Sequence, residues 1–266
     1  MKRLETAGGR IRQTVLRLKD TGNSVERKGK RVLRSKLFLI VIGLLFVLSL
    51  AESALAQDGE TVKLEEHAQS AATDDASPYD LKKGTYEFGA WGGGSFDSTT
   101  WFGRTPNRKL IITGFRGGRV MGSKKHFTFE YTVDVNPYVR LVQPREFVFF
   151  EARDSNAVIL TESGPDAVGV GISPIGLKFL FRRRERVKPF INSTAGFLYF
   201  ERNVPYDAGR KFNFAFDVGA GFQVFSKSRN ATMFGYKYHH FSNANTADVN
   251  PGVDSHIIYA GFSVFR

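Results

Sequence analysis

Residues 125–141, KHFTFEYTVDVNPYVRL, decide the fold. Phe127, Phe129, Tyr131, Val133 and Val135 alternate with Thr128, Glu130, Thr132 and Asp134. Side chains of a strand point to opposite faces in turn, so this segment reads as a strand with one oily and one polar face. It is also longer than the ~5–6 residues usual in a soluble sheet, and suits a tilted strand that crosses a bilayer with protruding ends. The same grammar of alternating, aromatic and β-branched runs broken by Gly, Asn, Pro, Asp and Ser recurs from Gly84 onward. It places strands at 84–93, 108–120, 125–142, 167–182, 186–201, 210–226, 229–242 and 253–265. The expected fold is therefore all-β: an eight-stranded antiparallel transmembrane β-barrel of the outer membrane, 84–266, preceded by a cleaved signal peptide. The rival is a soluble periplasmic barrel of the lipocalin type, whose apolar face would point inward. Strand length, aromatic residues towards strand ends (Trp91, Trp101, Tyr138, Tyr199, Phe200) and the penultimate Phe265 favour the membrane version; the final Arg266 departs from a terminal aromatic.

The N-terminal segment supports export. Leu37–Leu50, LFLIVIGLLFVLSL, is uncharged, follows Arg27, Lys28, Lys30, Arg31, Arg34 and Lys36, and ends near Ala54-Leu55-Ala56. Fourteen apolar residues are too few to span a ~30 Å hydrocarbon core as a helix, and the pattern is that of a secretory signal, 1–56, with a long basic lead. Residues 57–83, polar, small and acidic, read as a flexible periplasmic segment. The formal charge of +12 over 266 residues first suggests a nucleic-acid partner, yet +8 of it falls in residues 1–56 and only +4 in the rest. That removes most of the case for nucleic acid. With no cysteine, disulfide scaffolds are excluded as well.

With the N-terminus in the periplasm, loops 94–107, 143–166, 202–209 and 243–252 become extracellular, and 121–124, 183–185 and 227–228 become short periplasmic turns. Arg182-Arg183-Arg184-Glu185-Arg186 then lies at a periplasmic turn and reads as solvated charge beside anionic headgroups. Arg104, Arg108, Lys109, Arg145 and Arg153 fall at the outer rim, where lipid phosphates would be met.

One constellation carries chemistry. The seventh strand ends Tyr236-Lys237-Tyr238-His239-His240-Phe241-Ser242-Asn243-Ala244, and Asn250-Pro251-Gly252-Val253-Asp254 follows a short loop. His240 and Ser242, two apart, share the aromatic face with Tyr238, Tyr236 and Phe234. Polar groups on a lipid face cost ~1–4 kcal/mol depending on depth, so their presence asks for a reason. Ser242 as nucleophile, His240 as general base and Asp254 as the carboxylate that fixes the imidazole supply one. His239 faces the other way and reads as a lumen residue, while His256 is a rival base. The glycine runs at 92–94 and 169–171 lack phosphate-loop spacing, and no Cys/His metal spacing occurs.

His-x-Ser-Asn-Ala followed by Asn-Pro-Gly-x-acid, at the end of an eight-stranded barrel, resembles the lipid A 3-O-deacylase (PagL-type) family. The resemblance is sharp over 236–262 and architectural over 84–235. In that family the acid stands twelve positions after the Ser, which is Asp254 here; its usual residue is Glu, one methylene longer. The resemblance implies a hydrolase that removes the ester-linked 3-O acyl chain of lipid A in the outer leaflet, with no cofactor and no metal. It also implies loop-ordering and oxyanion-donor roles for Asn243 and Asn250. The expected partners are lipid A or lipopolysaccharide and the membrane itself, with homodimer formation left open. The alternative is a non-catalytic small barrel, structural or adhesive.

Overall fold

The computed structural model describes residues 77–96, 98–151 and 158–266. The expected signal peptide, 1–56, and residues 57–76 of the lead-in lie outside them. Ten strands follow one another: β1 (Tyr86–Ser95), β2 (Lys109–Ser123), β3 (Phe127–Val142), β4 (Phe147–Glu151), β5 (Val158–Glu162), β6 (Ala167–Phe181), β7 (Val187–Val204), β8 (Arg210–Phe225), β9 (Asn230–Ser242) and β10 (Val253–Phe265). Eight of them close a barrel in the order β1-β10-β9-β8-β7-β6-β3-β2, and β4 and β5 form a separate hairpin. Every pairing is antiparallel. The eight barrel strands begin and end within three residues of the spans expected from alternation. The hairpin is a difference, since 143–166 was expected to be a plain loop.

The distribution of polarity decides between the two barrels. Phe88, Phe115, Val135, Val170, Ile191, Val218, Phe222, Phe234, Ile258 and Phe262 stand exposed on the outer surface, while Glu87, Arg116, Glu130, Asp134, Lys178, Asp217, Lys237 and His239 are buried. Apolar residues face out and polar ones in, which is the arrangement of a membrane barrel and the reverse of a lipocalin. The lumen is crossed by ion pairs and hydrogen bonds. Arg116 donates two hydrogen bonds to Asp134, 2.8 and 2.7 Å. Lys178 bridges Glu87 and Glu130 at 2.6 and 2.8 Å. Asp217 accepts from Thr194 at 2.8 Å and from Lys237 at 3.1 Å, and lies 2.5 Å from His239 Nδ1. Charges so far from water are tolerated only when paired in this way.

Two of the aromatic residues expected at the membrane boundary are lumen residues instead. Trp91 is buried beneath Lys237, whose Nζ lies 4.0 Å from the indole ring. Gly114 makes room for it: a Cβ there would fall 2.5 Å from the indole. Phe200 is also fully buried, whereas Trp101, Tyr138 and Tyr199 are exposed.

The end bearing the short turns also holds both ends of the barrel strands, with Tyr86 N–H donating to Arg266 C=O. Short turns mark the periplasmic side. There Leu81 of the lead-in is buried in the hydrophobic cluster, Asp80 accepts two hydrogen bonds from Arg183, and Ser77 donates to the Arg184 carbonyl. Residues 77–83 are thus packed against the barrel. At the other end, Arg108 is not a free rim cation. It is fully buried, donates to Pro106 C=O and to Glu146, and stacks over Tyr206. Arg153 lies outside the described residues.

Candidate active site

β9 and β10 set the site by register. Asp254 is the direct cross-strand partner of His240, and on the other flank Phe216 pairs with His240 and Phe214 with Ser242. All five belong to the outward face, as the exposed Phe234, Tyr236 and Ile258 further along the same strands show. The shorter acid reaches because of that register: Asp254 Oδ1 lies 2.6 Å from His240 Nδ1. A carboxylate only accepts, so this contact holds the proton on Nδ1 and leaves Nε2 as the basic nitrogen.

The Asp254 carboxylate is held from a third direction by the β1–β2 loop. Phe102 N–H donates to Oδ2 at 2.8 Å and Gly103 N–H to Oδ1 at 2.9 Å. The same loop grips the segment before β10, with Arg104 N–H donating to Pro251 C=O at 2.7 Å and the Thr105 hydroxyl to Gly252 C=O at 2.6 Å. Its aromatic side chains roof the site. Trp101 stacks on Tyr238 at 5.3 Å, and Phe102 lies 5.8 Å from the His240 ring, which also meets Phe216 at 5.3 Å. Asp254 is consequently fully buried although it sits on the outer face, and the His240 side chain is only 13 % exposed. Nothing in the sequence marks Phe102 and Gly103 for this role, because backbone donors have no residue signature.

Ser242 ends β9 on the same face as His240, half-buried. No hydrogen bond joins it to His240 among the described residues. Both nonetheless flank Gly252, where a Cβ would lie 2.9 Å from His240 Cε1 and 3.5 Å from Ser242 Cβ. Gly252 has φ +65°, a conformation in which a side chain would be strained.

Asn243 and Asn250 tie the 243–252 loop together. Asn243 N–H donates to Asn250 Oδ1 at 3.1 Å, Asn243 Nδ2 donates to Val249 C=O at 2.9 Å, and Thr246 donates twice to Asn243 C=O, through N–H at 3.0 Å and Oγ1 at 2.8 Å. Asn243 is buried and Asn250 half-buried. His256 is set apart from Ser242: its Nδ1 meets the Tyr236 hydroxyl and its Nε2 lies 3.2 Å from Thr99 Oγ1. His239 is a lumen residue bound to Asp217.

Below the site, an open groove of about 560 Å³ runs along the lipid face over β1 and β8–β10. Gly92, Ala220, Gly235 and Ala260 form its floor, with Phe234 and Ile258 among its walls. Ile258 lies four residues along β10 from Asp254, roughly 13 Å at strand rise.

Comparison with known proteins gives one family. A family model described as lipid A 3-O-deacylase (PagL) matches residues 125–263, a span that contains His240, Ser242 and Asp254 and leaves β1 and β2 outside. No curated protein matches the chain at a significant level. Solved structures with a similar barrel include the outer membrane enzyme PagL, 15 % identical, covering 67 % of this chain and 98 % of that one, TM-score 0.39. Neisserial surface protein A is 14 % identical, with coverages of 68 % and 96 % and a TM-score of 0.39. The outer membrane protein OprG from Pseudomonas aeruginosa is 9 % identical, with coverages of 70 % and 98 % and a TM-score of 0.37.

Proposed function

The chain belongs to the lipid A 3-O-deacylase (PagL) family of outer-membrane barrels, and from that premise we propose that it hydrolyses the ester-linked 3-O acyl chain of lipid A with Ser242 as nucleophile, His240 as base and Asp254 as the orienting acid. The observation that carries this reading is the register-matched His240–Asp254 contact of 2.6 Å, placed on the lipid face beside Ser242.

In this reading Ser242 Oγ attacks the ester carbonyl as His240 Nε2 takes its proton, and the buried Asp254 stabilises the imidazolium. His240 then returns the proton to the departing sugar 3-hydroxyl. A water, deprotonated by the same nitrogen, releases the 3-hydroxy fatty acid from Ser242. The Ser242–His240 hydrogen bond forms when substrate is seated, since such contacts are often long in empty sites. Asn250 keeps one amide N–H uncommitted for the oxyanion, and Asn243 acts through the loop it orders.

Location supports the substrate. The three residues stand at the extracellular ends of β9 and β10, the depth of outer-leaflet lipid A headgroups. At that interface a polar lipid-facing group costs ~0–1 kcal/mol rather than the ~2–4 of the midplane. Substrate enters sideways from the leaflet, and its acyl chain lies in the groove over Gly92, Ala220, Gly235 and Ala260.

The test is lipid A mass spectrometry from a Gram-negative host with hexa-acylated lipid A, expressing the chain or its Ser242→Ala variant. Loss of one 3-hydroxyacyl unit with the natural chain alone is the expected result. Unchanged lipid A with both chains, each folded and heat-modifiable in the outer membrane, would replace this reading with the non-catalytic barrel.

A further inference from the structure

The two ends of the barrel differ in charge. Exposed Lys82, Lys83, Lys125, Arg182, Arg184 and Lys227 belong to the lead-in and turns of the periplasmic end. Among the described residues, Asp80 and Glu185 are the carboxylates on those segments, and both are already engaged, Asp80 with Arg183 and Glu185 with Arg182. At the extracellular end, by contrast, Glu146, Glu162, Asp166, Glu201 and Asp207 interleave with the cations.

Three of these cations, Lys125, Arg182 and Arg184, stand around a cavity. Lys125 and His126 of the β2–β3 turn and Arg182, Arg184 and Glu185 of the β6–β7 turn line an open cleft of about 430 Å³, with Phe181 as its apolar wall. The turns are joined by Arg182 N–H donating to His126 C=O at 3.1 Å, so the cleft has a fixed floor. Arg182 holds φ +55°, an unusual conformation for a non-glycine residue. Immediately towards the membrane, Phe181 pairs across the ladder with Phe127, and Phe179 packs 5.0 Å from Phe129 and 6.0 Å from Phe127. The cations thus stand at the strand ends, and the aromatic wall adjoins them on the strands themselves.

We infer that this cleft binds the phosphate headgroup of an anionic phospholipid in the periplasmic leaflet. Cations at a membrane surface attract anionic lipid, and a cleft that converges several of them on one point adds a defined place for one headgroup. The apolar wall distinguishes a lipid from a free anion. The cleft lies at the opposite end of the strands from Ser242, so this assignment stands apart from the hydrolytic reading.

The experiment is native mass spectrometry of the full chain in detergent, offered an equimolar mixture of dioleoyl-phosphatidylglycerol and dioleoyl-phosphatidylcholine. Retention of phosphatidylglycerol over phosphatidylcholine is expected, and in the Lys125→Gln/Arg182→Asn variant retention falls roughly 10-fold or more. Asn suits the left-handed backbone at 182, which preserves the turn. A control, Lys82→Gln/Lys227→Gln, removes equal charge outside the cleft and is expected to retain the lipid. Equal retention of the two lipids, or an equal loss in control and cleft variants, overturns the site. Displacement of phosphatidylglycerol by inorganic phosphate at matching concentration overturns the lipid as its occupant. If the double variant loses heat-modifiable folding, Lys125→Gln alone is compared with Lys227→Gln under the same criteria.

Discussion

Asp254 faces His240 directly across the β9–β10 ladder, 2.6 Å between Oδ1 and Nδ1, while its two oxygens also accept the backbone N–H groups of Phe102 and Gly103. One carboxylate therefore does two jobs. It orients the imidazole, and it latches an extracellular loop over the site. Hydrogen bonds to a charged acceptor contribute about 1.5–3 kcal/mol each, so the latch and the imidazole are coupled through a single side chain.

Asp254→Asn separates these jobs poorly, and that makes it informative. An amide has one accepting oxygen, whereas the loop offers an N–H to each of the two oxygens. Either the Phe102 N–H or the His240 Nδ1–H must then meet an NH₂ group. Deacylation is expected to fall about 10⁴-fold, as when the orienting acid of a Ser-His-Asp triad is amidated. Hydrogen exchange at Phe102 is expected to accelerate in the same variant. Full activity, measured as lipid A conversion per folded molecule, would remove Asp254 from the site.

Asp254→Glu makes the opposite change of volume. Asp254 has no exposed surface, and its oxygens already reach all three donors, so an extra methylene has no room. Overpacking of this kind costs about 1–3 kcal/mol. Glu is expected to lower activity in this chain unless the β1–β2 loop is moved with it. Lipid A conversion rates for the single variant and for one carrying a related family member's loop would decide the matter.

Gly252→Ala tests the spacing between His240 and Ser242. The residue sits at φ +65°, and an added methyl would lie 2.9 Å from His240 Cε1. The backbone strain is about 1–2 kcal/mol, and a displaced imidazole costs more. A misplacement near 1 Å reduces rate by about 10²-fold, and that loss is expected with the barrel still heat-modifiable on a gel. Parent-like conversion would show that the imidazole is not confined there.

The parts legible in the sequence were those written in side-chain periodicity. Phe127 to Val135 announce their faces by alternation, and the shared face of His240 and Ser242 follows from the same rule; the strand of Asp254 is apolar on both faces in sequence, so alternation alone does not assign that residue a face. Three features escaped because periodicity does not encode them. The β4–β5 hairpin has five residues a strand, too short to stand out within loop 143–166. Trp91 has the composition of a boundary aromatic, yet Gly114 opposite it opens a lumen site. Arg108, which reads as a rim cation, is drawn in by Glu146 and Tyr206, residues distant along the chain.

That last cluster gives the extracellular loops a pH window. Burial pushes the Glu146 carboxyl up, but the Arg108 guanidinium and the Tyr206 hydroxyl outweigh it and hold the group below its ordinary value of 4.5. A depressed carboxylate stabilises above its unfolded value, and the contribution disappears as pH falls through the folded one. Burial and Glu146 push the Tyr206 hydroxyl from 10.0 up to about 12, so its contribution is whole below 10 and lost as pH rises towards 12. Hydrogen-exchange protection of β4 and β5 is expected to be flat from about pH 5 to 9 and to drop on the acid side. Tyr206→Phe, which removes a 2.9 Å hydrogen bond to Glu146, is expected to lower protection within the window. Unaltered protection from pH 3 to 9 in both proteins would detach the hairpin from this cluster.

Asp217 provides the contrast between stability and chemistry. It lies opposite His239 on the lumen face, one residue from the outward-facing Phe216 that packs on His240, and it carries the Lys237, His239 and Thr194 contacts. Asp217→Ala leaves Lys237 without its carboxylate inside the barrel, and unpairing a buried charge costs about 3–5 kcal/mol. The variant is expected to unfold at markedly lower urea in the heat-modifiability assay. Conversion of lipid A per folded molecule is expected to match the parent, because Asp217 and its partners Lys237, His239 and Thr194 are buried on the lumen face. A selective loss of conversion with unchanged unfolding would mean instead that the lumen network sets the position of β9 at Ser242.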